Sequence, residues 1–241
     1  MEKLLYDFVE RSQDILGDNL VGIYLHGSLA MGGFNPDKSD IDLIIVVNTP
    51  LSHGEKRKYL DMVVGLNDRI EISIVLRSAC RPFIHPAPFE LHYSMAHLES
   101  YKADPNGYIE RMTGTDRDLA AHFSVINTHG KRLFGEKISD VFDIISREDY
   151  MDSIIYDVEN AVSEITENPV YVTLNLCRAL AYKRKGLILS KVNGALWGMI
   201  NIPGYSNFIF SAARAYRSGT QMDFDSDKAI SFARKVLDEL L

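Results

Sequence analysis

Two aspartates, Asp40 and Asp42, begin a segment that ends in five apolar residues, Leu43 to Val47. The apolar run predicts a strand over 40–47 that is buried on both faces. On a strand, alternate residues point to the same face, so the two carboxylates would lie roughly 6–7 Å apart along the chain. Such carboxylates repel each other unless a cation lies between them, and Mg²⁺ with oxygen ligands meets that need. The pattern therefore predicts a sheet protein with a metal site on a central strand.

Two further motifs surround this strand in the sequence. Gly27 and Ser28 end the preceding predicted strand, 20–25, in a turn where backbone N–H groups and a hydroxyl can approach an anion. Glu71 lies at the start of the next predicted strand, 69–76, where it is either a further metal ligand or a general base. Each motif alone is compatible with an ordinary turn or surface carboxylate. Together, in this order, they indicate phosphoryl or nucleotidyl transfer.

The pattern of apolar residues changes character near residue 145. Before it, strands alternate with helices; the predicted helices are 2–16, 54–66, 94–102 and 116–129, and a last short strand covers 89–93. Three prolines predict a loop over 80–90. After it, only helical patterns occur: a periodic run from 146 to 165, then 169–186, 190–200, 206–218 and 226–240. We therefore predict an α/β (α+β) domain with a short mixed sheet over 1–145 and an all-α helical bundle over 146–241.

The bulk composition excludes several classes of protein. With 26 basic and 33 acidic residues the formal net charge is −7, which argues against a nucleic-acid-binding role. No apolar run approaches the roughly 20 residues of a membrane helix, and the N-terminus lacks the pattern of a signal peptide. Cys80 and Cys177 form no CxxC pair. We expect a cytoplasmic protein with no membrane partner.

The motifs resemble the signature of the nucleotidyltransferase superfamily, which is Gly-Ser followed by Asp-x-Asp on a strand. The resemblance extends to the aminoglycoside adenylyltransferases that modify streptomycin and spectinomycin. Their Gly-Gly-(Leu/Phe)-x-Pro and Ser-Asp-Ile-Asp-Leu segments match residues 32–36 and 39–43, and their Glu-Val-Thr-Ile-Val strand is similar to residues 71–75. The resemblance is weakest over 80–115. It implies a polymerase beta-like nucleotidyltransferase domain followed by a helical domain, with Mg²⁺ as cofactor and ATP as co-substrate.

The resemblance also implies roles for individual residues. Asp40 and Asp42 would hold Mg²⁺, and Glu71 matches the catalytic base and completes the predicted set of metal ligands. The predicted nucleotide-binding residues are Gly27, Ser28, Ser39, Arg178, Lys191 and Tyr216.

Two of these residues stand out on physical grounds. Arg178 lies in an otherwise apolar helical stretch, so its charge should have a partner. Lys191 follows Ser190, the predicted N-cap of a helix, where a lysine opposes the macrodipole unless an anion also lies there. The ordinary alternative for each is a salt bridge. Asp116 and Asp118 are interpreted as capping and first-turn residues.

The acceptor follows less directly from the sequence. A small-molecule acceptor of the aminoglycoside type, spectinomycin or streptomycin, is the first hypothesis. In the resembling enzymes, acidic residues at the start of the helical domain and a tryptophan in the first domain help to choose the drug. Here the carboxylates near Glu164 and Glu167 do not align one for one with those acidic residues, and Trp197, the single tryptophan, lies in the predicted helix after Lys191. The alternatives are a nucleotidyltransferase that acts on another metabolite or on protein or RNA, as in toxin–antitoxin systems, and a non-catalytic nucleotide-binding regulator.

Overall fold

This computed structural model describes residues 1–36, 39–67 and 69–241 of the chain. The chain divides into two units, each with its own internal packing. One consists of Met1–Ala30 and Ser39–Ile145, and the other of Met31–Lys38 and Ser146–Leu241. The division into functional domains 1–145 and 146–241 stays a prediction.

A mixed sheet forms the centre of the first unit. The strands of this unit are β1 (Leu20–Leu25), β2 (Ile41–Val47), β3 (Ile70–Leu76), β4 (Ala87–Phe89), β5 (Leu91–Tyr93), β6 (Gly114–Asp116) and β7 (Lys131–Gly135). Five of them form one sheet in the order β5-β3-β2-β1-β7, and β4 pairs with β6. β2 and β3 are parallel, whereas the other pairings in the sheet are antiparallel. The predicted short mixed sheet is confirmed.

Helices surround this sheet. They are α1 (Glu2–Leu16), α2 (Gly27–Ala30), α3 (His53–Leu66), α4 (Arg77–Cys80), α5 (Leu98–Ala103), α6 (Pro105–Arg111), α7 (Asp118–His129) and α8 (Ile138–Val141). A capping box fixes the start of α3, because Ser52 Oγ accepts from the backbone N–H of Glu55 while the Glu55 carboxylate accepts from that of Ser52. On one face of the sheet, Tyr24 packs edge-on against Phe142 at 4.9 Å between ring centroids, and Phe142 against Phe123 at 4.8 Å.

The second unit is helical, as predicted. Its helices are α9 (Arg147–Tyr156), α10 (Ala161–Glu164), α11 (Pro169–Lys185), α12 (Lys191–Asn201), α13 (Ser206–Ser218) and α14 (Ser226–Leu240). α11 is the central helix, since nine of its 17 residues are buried. It begins with Pro169 and ends at Gly186, which is left-handed at φ 65°. None of the helices in the described part of the chain is long and apolar enough to cross a membrane.

Several local features of the structure differ from the predictions. The predicted loop over 80–90 contains β4, in which Pro88 pairs with Thr115; an isolated two-stranded ribbon tolerates a proline because each strand has a free edge. α6, β6, β7 and the short helices α2, α4 and α8 were not predicted. The periodic run from 146 to 165 is not one helix, because α9 ends at Tyr156 and a turn separates it from α10. Apolar spacing alone does not reveal where a helix is interrupted.

Candidate active site

The carboxylates of Asp42 and Glu71 lie side by side on neighbouring strands. β2 and β3 are parallel, and Asp42 is the direct register partner of Glu71. Adjacent strands are about 4.8 Å apart, and register partners point to the same face of the sheet. Asp40 lies one residue before β2, where the N–H of Ile41 bonds the carbonyl of Arg69 at 2.8 Å. The predicted strand therefore starts one residue too early. Asp42 and Glu71 are neighbours on adjacent strands, and Asp40 immediately precedes β2.

Glu71 responds strongly to this environment. Burial, which has the largest effect, and the nearby charges of Asp42, Asp40, Asp116 and Asp118, in decreasing order, together raise the pKa of Glu71 to about 8. A carboxyl group with a pKa near neutrality can take up a proton from a reacting hydroxyl, as a general base must. The same shift means that the cluster is short of positive charge, which a bound cation would supply.

Gly27 makes the position of Asp42 possible. A β-carbon at residue 27 would lie 2.5 Å from Cγ of Asp42 and would overlap its Oδ2. Gly27 also has φ +60°, a left-handed conformation that glycine adopts without strain. The backbone is fixed here as well, because the N–H of His26 donates to the carbonyl of Asp42 at 2.9 Å.

Ser28, which follows Gly27 in the chain, has a hydroxyl without a hydrogen-bond partner among the described residues. Its Oγ is inaccessible to solvent. A buried hydroxyl without a partner is costly in a folded protein, so a ligand that bonds it would remove that cost. Ser39, the other predicted phosphate-binding serine of this unit, is also buried.

The donor set fits a hard divalent cation. Carboxylate and hydroxyl oxygens are the ligands that Mg²⁺ prefers, and the aspartates that add to the effect of burial on the pKa of Glu71 supply negative charge nearby. Within residues 1–36, 39–67 and 69–241, no three His, Cys, Asp or Glu side chains converge closely enough to form a ready-made metal site. The assignment of Asp40, Asp42 and Glu71 as metal ligands therefore stays a prediction.

Three histidines lie near the carboxylates. The rings of His26 and His122 are 4.7 Å apart, and burial together with the charge of His122 lowers the pKa of His26 well below its usual value. His92 Nδ1 is 3.0 Å from Oγ of Ser73, which points to the same face of β3 as Glu71. Burial, with the charges of His97 and His122, lowers the pKa of His92 to about 4. His26 and His92 are thus neutral at physiological pH and do not compensate the acidic charge.

The predicted residues of the second unit form a separate network. Arg178 Nε donates to the carbonyl of Leu189 at 2.8 Å, and Nη1 donates to Oδ1 of Asn175 at 2.9 Å. Asn175 Nδ2 in turn donates to Oδ2 of Asp157 at 2.9 Å. Arg178 therefore has partners, as its apolar surroundings require, but they are neutral acceptors and not a carboxylate.

Lys191 lies over aromatic rings. Its Nζ is 4.9 Å from the ring centroid of Tyr171 and 5.7 Å from that of Tyr216. Such cation–π contacts hold an ammonium group at a helix start, where the macrodipole disfavours it. The predicted N-cap is present, because Ser190 Oγ accepts from the N–H of Asn193. The structure thus brings two of the predicted nucleotide-binding residues, Lys191 and Tyr216, into contact.

Several residues of these networks escaped the sequence analysis. Asp118 lies in the first turn of α7, but Asp116 is not its N-cap: that position is Arg117, which makes no side-chain cap hydrogen bond, while Oδ1 of Asp116 accepts from the N–H of Asp118 at 2.8 Å. Both aspartates also raise the pKa of Glu71, a contact that no local pattern indicates. Asp157 and Asn175 were likewise missed. The only signal in the sequence was a polar side chain at position 175 within an apolar helix.

Comparison with known proteins identifies both halves of the chain. The model of the nucleotidyltransferase domain matches residues 2–88, and that of the aminoglycoside adenylyltransferase C-terminal domain matches residues 140–239. A spectinomycin 9-adenylyltransferase of Staphylococcus aureus is 26% identical over 200 residues, which cover 79% of this chain and 75% of the relative. One from Enterococcus faecalis is 25% identical over 186 residues, covering 73% and 71%, and one from Campylobacter jejuni is 20% identical over 244 residues, covering 95% and 93%.

A solved structure shares the fold. The crystal structure of a spectinomycin adenyltransferase from Enterococcus, with ATP and spectinomycin, superimposes with a TM-score of 0.83. The match covers 98% of each chain at 22% sequence identity. The sheet with its flanking helices and the helical second unit are therefore the fold of a known adenyltransferase, which confirms the predicted fold class.

Proposed function

We propose that this chain transfers AMP from ATP to a hydroxyl of an aminoglycoside-type antibiotic, releasing pyrophosphate. The proposal is supported by the match of residues 2–88 to the nucleotidyltransferase domain and of residues 140–239 to the aminoglycoside adenylyltransferase C-terminal domain. The observation that carries the proposal is the cluster of Asp42 and Glu71 in direct register, with the pKa of Glu71 raised to about 8 by burial and by the neighbouring carboxylates. A degenerate, non-catalytic member would have no need of this charge cluster. We place the reaction in the cytoplasm, where ATP is available.

Spectinomycin is the preferred acceptor. The three relatives described above are named spectinomycin 9-adenylyltransferases. Two of them match more than 70% of this chain, with 26% and 25% sequence identity. For streptomycin, the chain lacks an aligned set of carboxylates at the start of the helical half. Trp197 does not substitute for the missing tryptophan, since it lies in α12 with Arg184 over its ring at 5.8 Å. Streptomycin therefore stays a secondary candidate.

Glu71 takes the proton of the acceptor hydroxyl in this proposal. In its ionised form, a carboxylate whose pKa lies near 8 is a stronger base than an ordinary glutamate, so it can accept the hydroxyl proton while the hydroxyl oxygen attacks the α-phosphorus of ATP and the bond to pyrophosphate breaks. Asp40 and Asp42, with Glu71 as a further predicted ligand, would hold Mg²⁺, which would neutralise the charge of the triphosphate and of the leaving pyrophosphate. The acidic residues beside Glu71, Asp116 and Asp118, also suit an acceptor that carries ammonium groups.

The predicted nucleotide-binding residues supply donors for the phosphates. Ser28 offers a buried hydroxyl with no partner among the described residues, and Gly27 leaves room for the carboxylate of Asp42 beside it. In the second unit, Arg178 and Lys191 supply two positive charges, and Tyr216 supplies a ring that lies against Lys191. We propose that these groups bind ATP.

The test is product formation with purified protein, Mg²⁺ and ATP. Spectinomycin, streptomycin and kanamycin are offered separately, and adducts are detected by mass spectrometry. We expect one AMP on spectinomycin and no adduct with the Glu71→Gln variant, which should still bind ATP. If no drug is modified while ATP binds in a Mg²⁺-dependent way, the antibiotic assignment is wrong, and metabolites, proteins and RNA become the acceptors to screen. If ATP does not bind, the enzymatic proposal itself fails.

A further inference from the structure

The carboxylate of Asp157, in the second unit, is connected through other side chains to Lys191 and Arg178, the two proposed phosphate-binding cations. Asp157 is the C-cap residue of α9, and its two oxygens have different donors. Oδ1 accepts from the hydroxyl of Tyr171 at 2.6 Å, and Oδ2 accepts from Nδ2 of Asn175 at 2.9 Å. A negative charge at the C-terminal end of a helix is unfavourable, because the macrodipole is negative there. These two hydrogen bonds to α11 therefore stabilise a carboxylate that its own helix disfavours.

Each donor connects Asp157 to one cation. Tyr171, Asn175 and Arg178 lie at intervals of four and three residues, and so they share one face of α11. The ring of Tyr171 lies under Nζ of Lys191 at 4.9 Å. The side-chain oxygen of Asn175 accepts from Nη1 of Arg178 at 2.9 Å. Asp157 thus reaches Lys191 through a ring and Arg178 through an amide.

The amide of Asn175 can satisfy both neighbours in one orientation only. Its Nδ2 must face the carboxylate of Asp157, and its Oδ1 must face the guanidinium of Arg178. Asn175 is buried, so water does not replace a lost partner at low cost. With Nε held by Leu189 and Nη1 held by Asn175, Nη2 of Arg178 donates to none of the described residues and stays available for a ligand.

We infer that Asp157 is a positioning residue for the nucleotide: it fixes Tyr171 and Asn175, and through them the two cations, Lys191 and Arg178, that bind phosphate oxygens. The inference rests on the proposed nucleotide-binding role of those cations. Asp157 need not touch ATP. Its effect is to hold Arg178 in the orientation that a phosphate requires, which lowers the ordering cost of binding.

The Asp157→Asn variant tests this inference. An asparagine cannot accept at both positions, so its amide nitrogen faces Asn175 or Tyr171. If Asn175 turns over in response, its own nitrogen faces Arg178 and repels it. We expect the dissociation constant and the KM of ATP to rise about tenfold, as for the loss of one hydrogen bond to a charged group, with kcat changed less than twofold. Glu159→Gln is the control. Glu159 lies two residues after Asp157 and is exposed, so this variant removes a negative charge without touching the network.

A double-mutant cycle separates positioning from a general structural role. In an Arg178→Met background, Asp157→Asn should weaken ATP binding only about threefold, because the guanidinium is gone and only the route through Tyr171 to Lys191 remains. Weakening of equal size in both backgrounds, or an unchanged ATP dissociation constant in Asp157→Asn, would overturn the inference.

A second variant tests the inference in case Asp157→Asn does not fold. Tyr171→Phe keeps the ring under Lys191 and loses only the hydroxyl bond to Asp157. We expect it to raise the dissociation constant of ATP about threefold, and an unchanged constant would count against the inference. ATP binding also separates this inference from the proposed function. If Arg178→Met binds ATP as the wild type does, the assumed role of Arg178 fails; if it binds weakly while Asp157→Asn and Tyr171→Phe do not, only the inference fails.

Discussion

The side chain of Asp42 occupies the space that a β-carbon on Gly27 would need. That atom would lie 2.5 Å from Cγ and 3.0 Å from Cβ of the aspartate. The glycine of the Gly-Ser motif therefore has a second role besides exposing backbone N–H groups: it admits the carboxylate on the neighbouring strand. The two halves of the motif, Gly27-Ser28 and Asp40-x-Asp42, depend on each other sterically.

The first prediction concerns this contact. Gly27→Ala forces Asp42 out of its place and puts an alanine at φ +60°. We expect adenylyl transfer to fall at least about 100-fold, as expected when a catalytic group is displaced by about 1 Å. The free energy of unfolding should fall by about 1–2 kcal/mol because of the backbone strain. Steady-state kinetics and chemical denaturation measure the two effects.

Gly32→Ala is the matched control for Gly27→Ala. Gly32 also has a left-handed conformation, at φ +72°, but a β-carbon there meets nothing within 4 Å. The stability loss should be similar, whereas transfer should be within about threefold of the wild type, because no carboxylate moves. Equal loss of transfer in both variants would mean that backbone strain, and not the contact with Asp42, explains the first result.

The second prediction concerns the pH dependence of stability in metal-free protein. The pKa of Glu71 is raised from 4.5 when unfolded to about 8 when folded. Between these values the folded state binds more protons at Glu71, so the contribution of Glu71 to stability is greatest below pH 4.5 and is lost as the pH rises through about 8. One group contributes a slope of about 1.4 kcal/mol per pH unit. We expect the wild type to lose stability relative to Glu71→Gln over this window, measured by urea denaturation in EDTA.

Mg²⁺ should remove most of that difference between the wild type and Glu71→Gln. A cation bound by the cluster favours the ionised form of Glu71 and opposes the shift. Parallel curves for the two proteins in EDTA would contradict the raised pKa. A difference that Mg²⁺ leaves unchanged would place the cation elsewhere.

The sequence predicted those parts of the fold that are locally regular. α1, α13 and α14 match their predicted bounds because an apolar stripe at helical spacing and a clear stop define them. β7 was missed because it is an edge strand that carries Lys131 and Arg132 and shows no apolar alternation. Its place in the sheet depends on pairing with β1, which is a long-range interaction.

The same distinction applies to the candidate site. Asp42 and Glu71 lie on adjacent strands within one short stretch of chain, so their meeting could be expected from the motif. Asp116 lies 45 residues after Glu71 on a strand that the sequence did not predict, so only the folded chain reveals its influence on that residue. Hydrogen-bond networks such as that of Asp157 leave no periodic pattern in the sequence at all.

The third prediction uses Asp116. Asp116→Asn keeps an oxygen that can accept from the N–H of Asp118 but removes a charge that raises the pKa of Glu71. If Glu71 is the base, the acid limb of the pH profile of kcat/KM should move to lower pH, while the rate on the plateau changes less than about twofold. Glu110→Gln, an exposed carboxylate on α6, should leave the profile in place. An unmoved acid limb in Asp116→Asn would mean that another group limits the rate at low pH.

The fourth prediction separates packing from nucleotide binding in α12. Gly194 and Gly198 lie one turn apart and both face α11, but they face different residues. A β-carbon on Gly194 would lie 2.6 Å from Cγ of Arg178, and one on Gly198 would lie 2.5 Å from Sγ of Cys177. Both alanine variants overpack the interface of the two helices and should lower the free energy of unfolding by about 1–3 kcal/mol.

Only Gly194→Ala should also weaken ATP binding, because only there does the added methyl group displace the stem of Arg178. We expect its ATP dissociation constant to rise about tenfold, with Gly198→Ala within about twofold of the wild type. Direct titration with ATP and Mg²⁺ measures both, below the temperature at which either variant unfolds. Because the two variants share helix, substitution and strain, a difference between them depends on the orientation of Arg178. Equal affinities would show that ATP binding tolerates movement of this guanidinium, and Arg178 would then lose its proposed role.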